Sequence, residues 1–291
     1  MSTASQSLLV TAAELADLLE DPDLLLVDCR FNLLQPAAGR ESWEAGHIPG
    51  AYFADLDQDL GGPVRPDSGR HPLPSPDRLG RLFGSWGLTA SSRVVAYDDA
   101  GGAIAARLWW LLRWAGHNAA SLLDGGYRAW LAAELPVSQV QPELLSGDFP
   151  LTSGHWPVIS TAEVEAGLQT RQLTLLDARD PARYAGAEEP IDSQAGHVPG
   201  AINWPFSDNL DSSGAFRKPA DLGAAFRSRL DATAGSLAVM CGSGVTACHT
   251  LFAMELAGLF ADPNNKPALY CGSWSEWIRS GQRPVATGVD P

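Results

Sequence analysis

The chain has 291 residues, 45% of them hydrophobic and 19% charged, which is the composition of a folded protein with room for two domains. Its formal net charge of −14 leaves no dense basic patch, so we expect neither nucleic acid nor an anionic membrane as a partner. No apolar run reaches the ~18 residues of a membrane-spanning helix, and no secretory signal is visible. The four cysteines are too sparse for a disulfide framework or a zinc site. We therefore expect a cytoplasmic protein.

Short apolar runs in the first half of the chain alternate with longer segments of helical character. Residues 24–27, 93–97 and 121–123 are predicted strands, and residues 103–115 place apolar side chains at helical spacing. Apolar strands that alternate with helices are typical of a parallel sheet covered by helices on both faces. In such sheets the functional site lies at the carboxyl ends of the strands.

The second half of the chain repeats the first at an offset of about 150 residues, which is the length of one ordinary domain. The segment LVDCR at residues 26–30 recurs as LLDAR at 175–179. The segment GHIPGA at 46–51 recurs as GHVPGA at 196–201. This duplication predicts two copies of one domain.

Each copy is predicted to be an α/β domain in which helices cover both faces of a parallel sheet. We expect the first domain at residues 1–140 and the second at 155–291, joined by a linker at about 136–157 that is rich in proline, serine and glycine. Residues 245–259 show helical apolar spacing in the second copy. Its predicted strands are three further apolar runs, at residues 173–176, 237–240 and 268–271.

The segment CGSGVTA at residues 241–247 carries the strongest functional signal. It lies between an apolar strand and an apolar helix, and it places glycines close behind Cys241. In such a turn the backbone N–H groups and the helix N-terminus converge on the sulfur and stabilise a thiolate. Cys241 is therefore the predicted nucleophile, suited to carrying sulfur as a persulfide. A cysteine-dependent phosphatase would need an arginine at the position of Ala247 to clamp the phosphoryl oxygens.

The position that corresponds to Cys241 in the first copy is held by Asp98. A carboxylate cannot hold sulfur as a persulfide. We therefore expect the first domain to be catalytically inactive and the second to be catalytic.

The duplicated Asp-x-Arg and Gly-His-x-Pro-Gly-Ala motifs, the loop at 241–247 and the segment GSWSEW at 272–277 resemble the tandem-domain rhodanese family of sulfurtransferases over nearly the whole chain. The loop is similar to that of the members that use 3-mercaptopyruvate. Thiosulfate-specific members typically have basic residues directly after the cysteine, where this chain has Gly242 and Ser243. The resemblance implies a sulfurtransferase that needs neither a metal nor another cofactor.

The resemblance also implies a proton-transfer group. Asp57 and His71 match an Asp–His pair that the first domain contributes in the members that use 3-mercaptopyruvate, and Ser243 is the partner of that pair. A hydroxyl polarised by a histidine would protonate the leaving enolate of pyruvate, and the carboxylate would fix the imidazole tautomer.

Donor-binding residues are implied in the same way. Arg183 matches a family arginine that binds the carboxylate or sulfonate of the substrate, and a guanidinium fork suits a planar anion. The members that use 3-mercaptopyruvate usually have a second arginine after a Glu-Pro pair, but here Ile191 follows that pair. Four loop residues are also expected to bind the substrate: Gly242, Gly244, Val245 and Thr246.

Three functions stay open on the sequence. The leading one moves a sulfane sulfur from 3-mercaptopyruvate, a small anion, through a Cys241 persulfide to cyanide or to a thiol such as a thioredoxin-like protein, and it releases pyruvate. A thiosulfate sulfurtransferase is the alternative, motivated by the missing second arginine. The third is a non-catalytic sulfur carrier or redox-sensing module, motivated by Cys271, which follows another predicted strand and could pair with Cys241.

Overall fold

Two parallel β-sheets, one from each half of the chain, form the framework of the protein. The structure is a computed structural model that describes residues 7–231, 235–260 and 266–290. Contacts divide these residues into two compact units. The first unit takes in the described residues up to Gly62, Pro74–His155 and Ser212–Ala215. The second takes in Pro63–Leu73, Trp156–Asp211 and the described residues from Phe216 onward.

The described residues of the first unit form one sheet and a series of helices that alternate with its strands. The strands are β1 (Leu9–Val10), β2 (Leu24–Asp28), β3 (Tyr52–Phe53), β4 (Arg93–Tyr97) and β5 (Ala120–Leu123). The helices are α1 (Ala12–Leu18), α2 (Ala38–Ala45), α3 (Pro76–Ser85), α4 (Ala105–Trp114) and α5 (Gly126–Ala132). The strands lie in the order β1-β5-β4-β2-β3, and the neighbours are parallel.

The second unit repeats this arrangement with a four-stranded sheet in the described residues. Its strands are β6 (Leu173–Asp177), β7 (Ile202–Asn203), β8 (Ser236–Met240) and β9 (Ala268–Leu269). Its helices are α6 (Thr161–Gln169), α7 (Pro181–Ala185), α8 (Pro219–Leu230), α9 (Thr246–Leu256) and α10 (Ser273–Trp277), with 3-10 turns at Phe206–Asn209 and Ile278–Ser280. The strand order is β7-β6-β8-β9, again all parallel.

The predicted α/β class, with a parallel sheet in each half of the chain, is confirmed. Strand β4 has the predicted bounds, but the strand predicted at 268–271 is wrong in length because β9 ends at Leu269. The N–H of Tyr270 still bonds to the sheet, but its carbonyl accepts the Ser273 hydroxyl at 2.8 Å, and the chain turns there into α10. The helix predicted at 245–259 ends early, at Leu256, because Gly258 adopts a left-handed conformation with φ 70°.

In each unit the two duplicated motifs lie in contact and are joined by buried hydrogen bonds. Arg30 Nη2 donates to Asp28 Oδ2 at 2.7 Å and to the carbonyl of Gly46 at 2.7 Å, so the strand-end ion pair fastens the turn of the second motif. The second unit has the same bonds, made by Arg179 to Asp177 and Gly196. These charges are buried together with their partners in both units.

Helix α9 runs through the interior of the second unit. Its residues from Ala247 to Met254 are all buried, and a helix that is apolar on every side has to be enclosed by other elements. The turn between β8 and α9 is therefore also enclosed. Within the described part of the chain, no helix has both the length and the apolarity that crossing a membrane requires.

Candidate active site

Cys241 is the first residue after the central strand β8, and it begins the turn into α9. Its side chain lies in the interior, with the residue 2% exposed. Its N–H donates to Ser273 Oγ at 3.1 Å, and its carbonyl accepts the N–H of Trp274 at 3.0 Å. The backbone N–H and carbonyl of Cys241 are thus both held by α10.

The turn after Cys241 directs a backbone donor at the sulfur. Gly244 N–H lies 3.1 Å from Cys241 Sγ. Gly244 has φ 78°, and a Cβ at this position would lie 2.7 Å from the carbonyl oxygen of Cys271, so glycine alone fits here. Of the amide groups predicted to converge on the sulfur, the structure shows that of Gly244 bonded to it, and Val245 and Thr246 continue the same turn into the N-terminus of α9.

Asp98 follows β4 in the first unit as Cys241 follows β8 in the second. Its carboxylate is fully buried and accepts backbone N–H groups at 2.8–2.9 Å from the turn into α4. These donors belong to Ala100, Gly102, Ile104 and Ala105. Burial raises the pKa of Asp98, although the four N–H groups oppose that effect. The duplicated turn is therefore a backbone anion site in the first unit, occupied by the protein's own carboxylate.

Ser243 and His71 lie together, as the resemblance implies. Ser243 Oγ is 2.7 Å from His71 Nδ1, and both residues are buried. At this distance the hydroxyl and the imidazole form a hydrogen bond, and Ser243 lies two residues beyond Cys241 in the sequence. The pair can therefore deliver a proton beside the thiol.

The segment that carries His71 is fastened to the second unit although it comes from the first half of the sequence. The N–H of Arg70 donates to Ser275 Oγ at 3.1 Å. A Cβ on Gly69 would lie 2.5 Å from the carbonyl oxygen of Gly272, so the two backbones approach as closely as glycine permits. Asp57 belongs to the first unit, in a turn where its N–H donates to Asp55 Oδ1 at 2.8 Å. Its pairing with His71 stays a prediction.

Arg183 lies beside the loop, and its role in binding the donor stays a prediction. It comes from α7, and its Nη2 lies 3.6 Å from the point that a Cβ on Gly242 would occupy. The same Nη2 donates to Glu189 Oε1 at 2.7 Å and to Asp192 Oδ2 at 3.1 Å. The guanidinium group is thus held next to Gly242 by two carboxylates that follow it in the sequence.

Arg70 is a site residue that sequence reasoning missed. Its Nη2 lies 3.0 Å from the same Cβ point on Gly242, closer than Arg183, and its Nη1 bonds to Asp192 Oδ1. The available signal was a basic residue directly before a candidate catalytic histidine in the sequence. That signal is weak because an arginine in a loop is usually a solvated surface residue.

Glu189 and Asp192, the carboxylates beside the two arginines, have buried side chains, and their pKa values are shifted in opposite directions. Burial alone would raise the pKa of Glu189, but hydrogen bonds from Arg183 and from backbone N–H groups lower it below its usual value. Burial raises the pKa of Asp192, although the positive charge of Arg70 opposes that effect. Burial therefore dominates at Asp192, whereas the hydrogen bonds dominate at Glu189.

Cys271 lies against the same loop. All four cysteines are free thiols and buried, so Cys271 and Cys241 are not joined. The Cys271 thiol donates to the carbonyl of His71 at 3.4 Å. It thus helps to hold the segment that carries the histidine, and the redox-sensing alternative stays a hypothesis.

Comparison with known proteins identifies the family. The profile of the Rhodanese-like domain matches residues 11–133 and 160–280, which are most of the two halves of the chain. The chain therefore belongs to the rhodanese family, with two such domains, and the resemblance seen in the sequence is confirmed.

Relatives with assigned names cover nearly the whole chain. A Pseudomonas aeruginosa protein named "Probable 3-mercaptopyruvate sulfurtransferase" is 48% identical over 287 residues, 98% of this chain and 99% of that protein. A mouse protein named "Thiosulfate sulfurtransferase" is 33% identical over 267 residues, 89% of this chain and 86% of that protein. The solved structure of 3-mercaptopyruvate sulfurtransferase from Leishmania major has a TM-score of 0.83 and 28% identity, and the match covers 98% of this chain and 78% of that one.

Proposed function

We propose that this protein is a sulfurtransferase that takes a sulfane sulfur from 3-mercaptopyruvate and carries it as a persulfide on Cys241. The observation that carries the proposal is the arrangement around that sulfur. Gly244 N–H points at it from 3.1 Å, and Ser243, which is hydrogen-bonded to His71, lies in the same turn. The 48% identity to the Pseudomonas aeruginosa protein supports the choice of donor.

The first half-reaction forms the persulfide. The Cys241 thiolate attacks the sulfur of 3-mercaptopyruvate, a new S–S bond forms, and the C–S bond of the donor breaks. The electron pair of that bond goes to the carbon fragment, which leaves as the enolate of pyruvate. Ser243 protonates the enolate carbon and is itself reprotonated through His71. Pyruvate is released, and the outer sulfur stays on Cys241.

The second half-reaction returns the enzyme to its starting state. An acceptor attacks the outer sulfur, the S–S bond breaks, and the electron pair returns to Cys241 as thiolate. Cyanide is the acceptor for an assay, and a cellular thiol or a thioredoxin-like protein is the proposed natural one. The loop amides, those of Gly242, Gly244, Val245 and Thr246, stabilise the negative charge that both half-reactions place on sulfur.

We propose that the first domain, at residues 1–140, does no sulfur chemistry of its own, and that the second, at 155–291, is catalytic. Asp98 supports this because its carboxylate fills the backbone anion site that would otherwise face a sulfur atom. The first domain contributes Asp57, which we propose orients the His71 imidazole. The four free thiols support a reducing compartment such as the cytoplasm.

The test is pyruvate release from 3-mercaptopyruvate with cyanide as acceptor. We expect Cys241→Ser to abolish it, whereas Cys29→Ser, a change at a buried thiol of the first unit, keeps wild-type rates. Equal rates in Cys241→Ser and wild type would end the proposal.

Thiosulfate as donor is the second candidate. It is favoured by Ile191, which stands where the members that use 3-mercaptopyruvate usually have a second arginine, and by the 33% identity to the mouse protein named "Thiosulfate sulfurtransferase". A kcat/KM for thiosulfate above that for 3-mercaptopyruvate would reverse the ranking.

A further inference from the structure

Two guanidinium groups from distant parts of the sequence flank Gly242, the residue after the nucleophile. The nitrogens nearest to the Cβ point of Gly242 are Nη2 of Arg70, at 3.0 Å, and Nη2 of Arg183, at 3.6 Å. A side chain at position 242 would require the Arg70 guanidinium group to move aside. The space beside Gly242 is therefore occupied by an arginine from another segment of the sequence.

Arg70 is fixed in this place by the backbone and by charge. Its N–H is held by Ser275, and its guanidinium group bonds to Asp192, whose side chain is 5% exposed. The Nε of Arg70 is buried and has no hydrogen-bond partner within the described residues. A buried N–H without an acceptor costs free energy, so the arrangement leaves a donor available for an anion.

Asp192 joins the two arginines. One of its oxygens bonds to Arg70, and the other accepts Arg183 Nη2 at 3.1 Å. The wider ion-pair network contains three arginines and three carboxylates, so its charges balance: Arg70, Arg179, Arg183, Asp177, Glu189 and Asp192. A planar carboxylate thus already lies between the guanidinium groups that would receive a donor's carboxylate.

We propose that Arg70 is a donor-binding residue, in place of the arginine missing at Ile191, and that Asp192 sets which donor anion the site accepts. This inference rests on the proposed sulfurtransferase function. With Asp192 ionised, the network is neutral, and a monoanionic carboxylate exchanges with the Asp192 carboxylate at little electrostatic cost. Dianionic thiosulfate brings one more negative charge into a buried site, and Asp192 repels it. Because Arg70 adjoins His71, the segment that binds the donor also positions the proton-transfer group.

The decisive variant is Asp192→Asn, which keeps the shape and removes the charge. We expect the ratio of kcat/KM for thiosulfate to kcat/KM for 3-mercaptopyruvate to rise by about tenfold or more, since one close charge in a buried site changes affinity by at least that factor. Asp67→Asn is the matched control because the Asp67 side chain lies in the same unit and is 83% exposed. It should keep the wild-type ratio.

Arg70 has its own variant and control. Arg70→Gln should raise KM for both donors by about tenfold and change kcat far less, because it removes a group that binds the donor and not one that reacts. Arg70→Lys should recover part of that loss, since it keeps the charge without the fork. Arg65→Gln, at an exposed arginine of the same segment, should have no effect.

The outcomes separate this inference from the function on which it rests. Wild-type protein that releases no pyruvate from 3-mercaptopyruvate refutes the proposed function. An active wild type with an unchanged donor ratio in Asp192→Asn overturns the role of Asp192. Unchanged KM in Arg70→Gln, or a fall in kcat alone together with a lower melting temperature, overturns the role of Arg70 and makes it a structural ion-pair partner. If Asp192→Asn does not fold, Asp192→Ser takes its place, and an unchanged donor ratio in that variant overturns the role of Asp192.

Discussion

Replacing Ser243 by alanine should separate the two sulfur donors. With 3-mercaptopyruvate, breakage of the C–S bond leaves an enolate that must be protonated on carbon, and Ser243 Oγ, 2.7 Å from His71 Nδ1, is the proposed acid. With thiosulfate, the leaving group is sulfite, which is stable without a proton. We therefore expect Ser243→Ala to slow the first donor and to leave the second nearly unchanged.

The expected size follows from the role. A positioned general acid contributes roughly 10²–10⁴ in rate, so kcat/KM for 3-mercaptopyruvate should fall by that factor, or about 3–5.5 kcal/mol in the activation barrier. Loss of one hydroxyl–imidazole hydrogen bond costs about 1 kcal/mol of folding free energy, so the variant should stay folded. Thiosulfate turnover should stay within about twofold, because no proton transfer is lost.

The assay follows pyruvate release from one donor and sulfite release from the other, with cyanide as the common acceptor. Ser207→Ala, at an exposed serine of the same unit, is the matched control and should change neither rate. Equal slowing with both donors would show that the hydroxyl shapes the loop or binds the donor. No slowing with either donor would remove Ser243 and His71 from the mechanism.

Three further predictions follow from buried groups. Asp98→Ala should lower the free energy of unfolding in urea by about 3 kcal/mol or more, because it leaves four backbone N–H groups without their acceptor; a loss below 1 kcal/mol would contradict the anion site. Gly244→Ala should reduce sulfur transfer by more than about tenfold, since a Cβ would lie 2.7 Å from the Cys271 carbonyl and φ is 78°; wild-type turnover would show that the turn tolerates a side chain. Cys29 should resist iodoacetamide at pH 8 in the folded protein, as burial and the charges of nearby aspartates raise the pKa of its thiol well above the usual value; rapid labelling in mapped peptides would refute this.

Much of the fold could be predicted because its signals are local. The strand at 93–97 is a short apolar run bounded by turns, and the structure has β4 with the same bounds. The duplicated motifs set the correspondence of the two halves, and with it the positions of Asp98 and Cys241 after the central strands. A cysteine followed by glycines between a strand and a helix then predicted the amide directed at its sulfur, which Gly244 supplies.

The features that could not be predicted from the sequence depend on contacts between segments that are far apart in the chain. Residues 63–73 belong to the second unit, where Gly69 lies close to Gly272. Neither the hydrophobic periodicity nor the composition of the sequence indicates this contact. For the same reason the sequence does not show that the guanidinium group of Arg70 lies beside Gly242. Only the packing of that segment against α10 shows where the side chain goes.

The most direct test of the account is the mass of the peptide that contains Cys241 after the protein has reacted with 3-mercaptopyruvate in the absence of an acceptor. We predict a gain equal to one sulfur atom on that cysteine, with release of one pyruvate per site, and return to the original mass when cyanide is added. Pyruvate release without added sulfur on Cys241, or sulfur found on Cys29 or Cys271 instead, would contradict it.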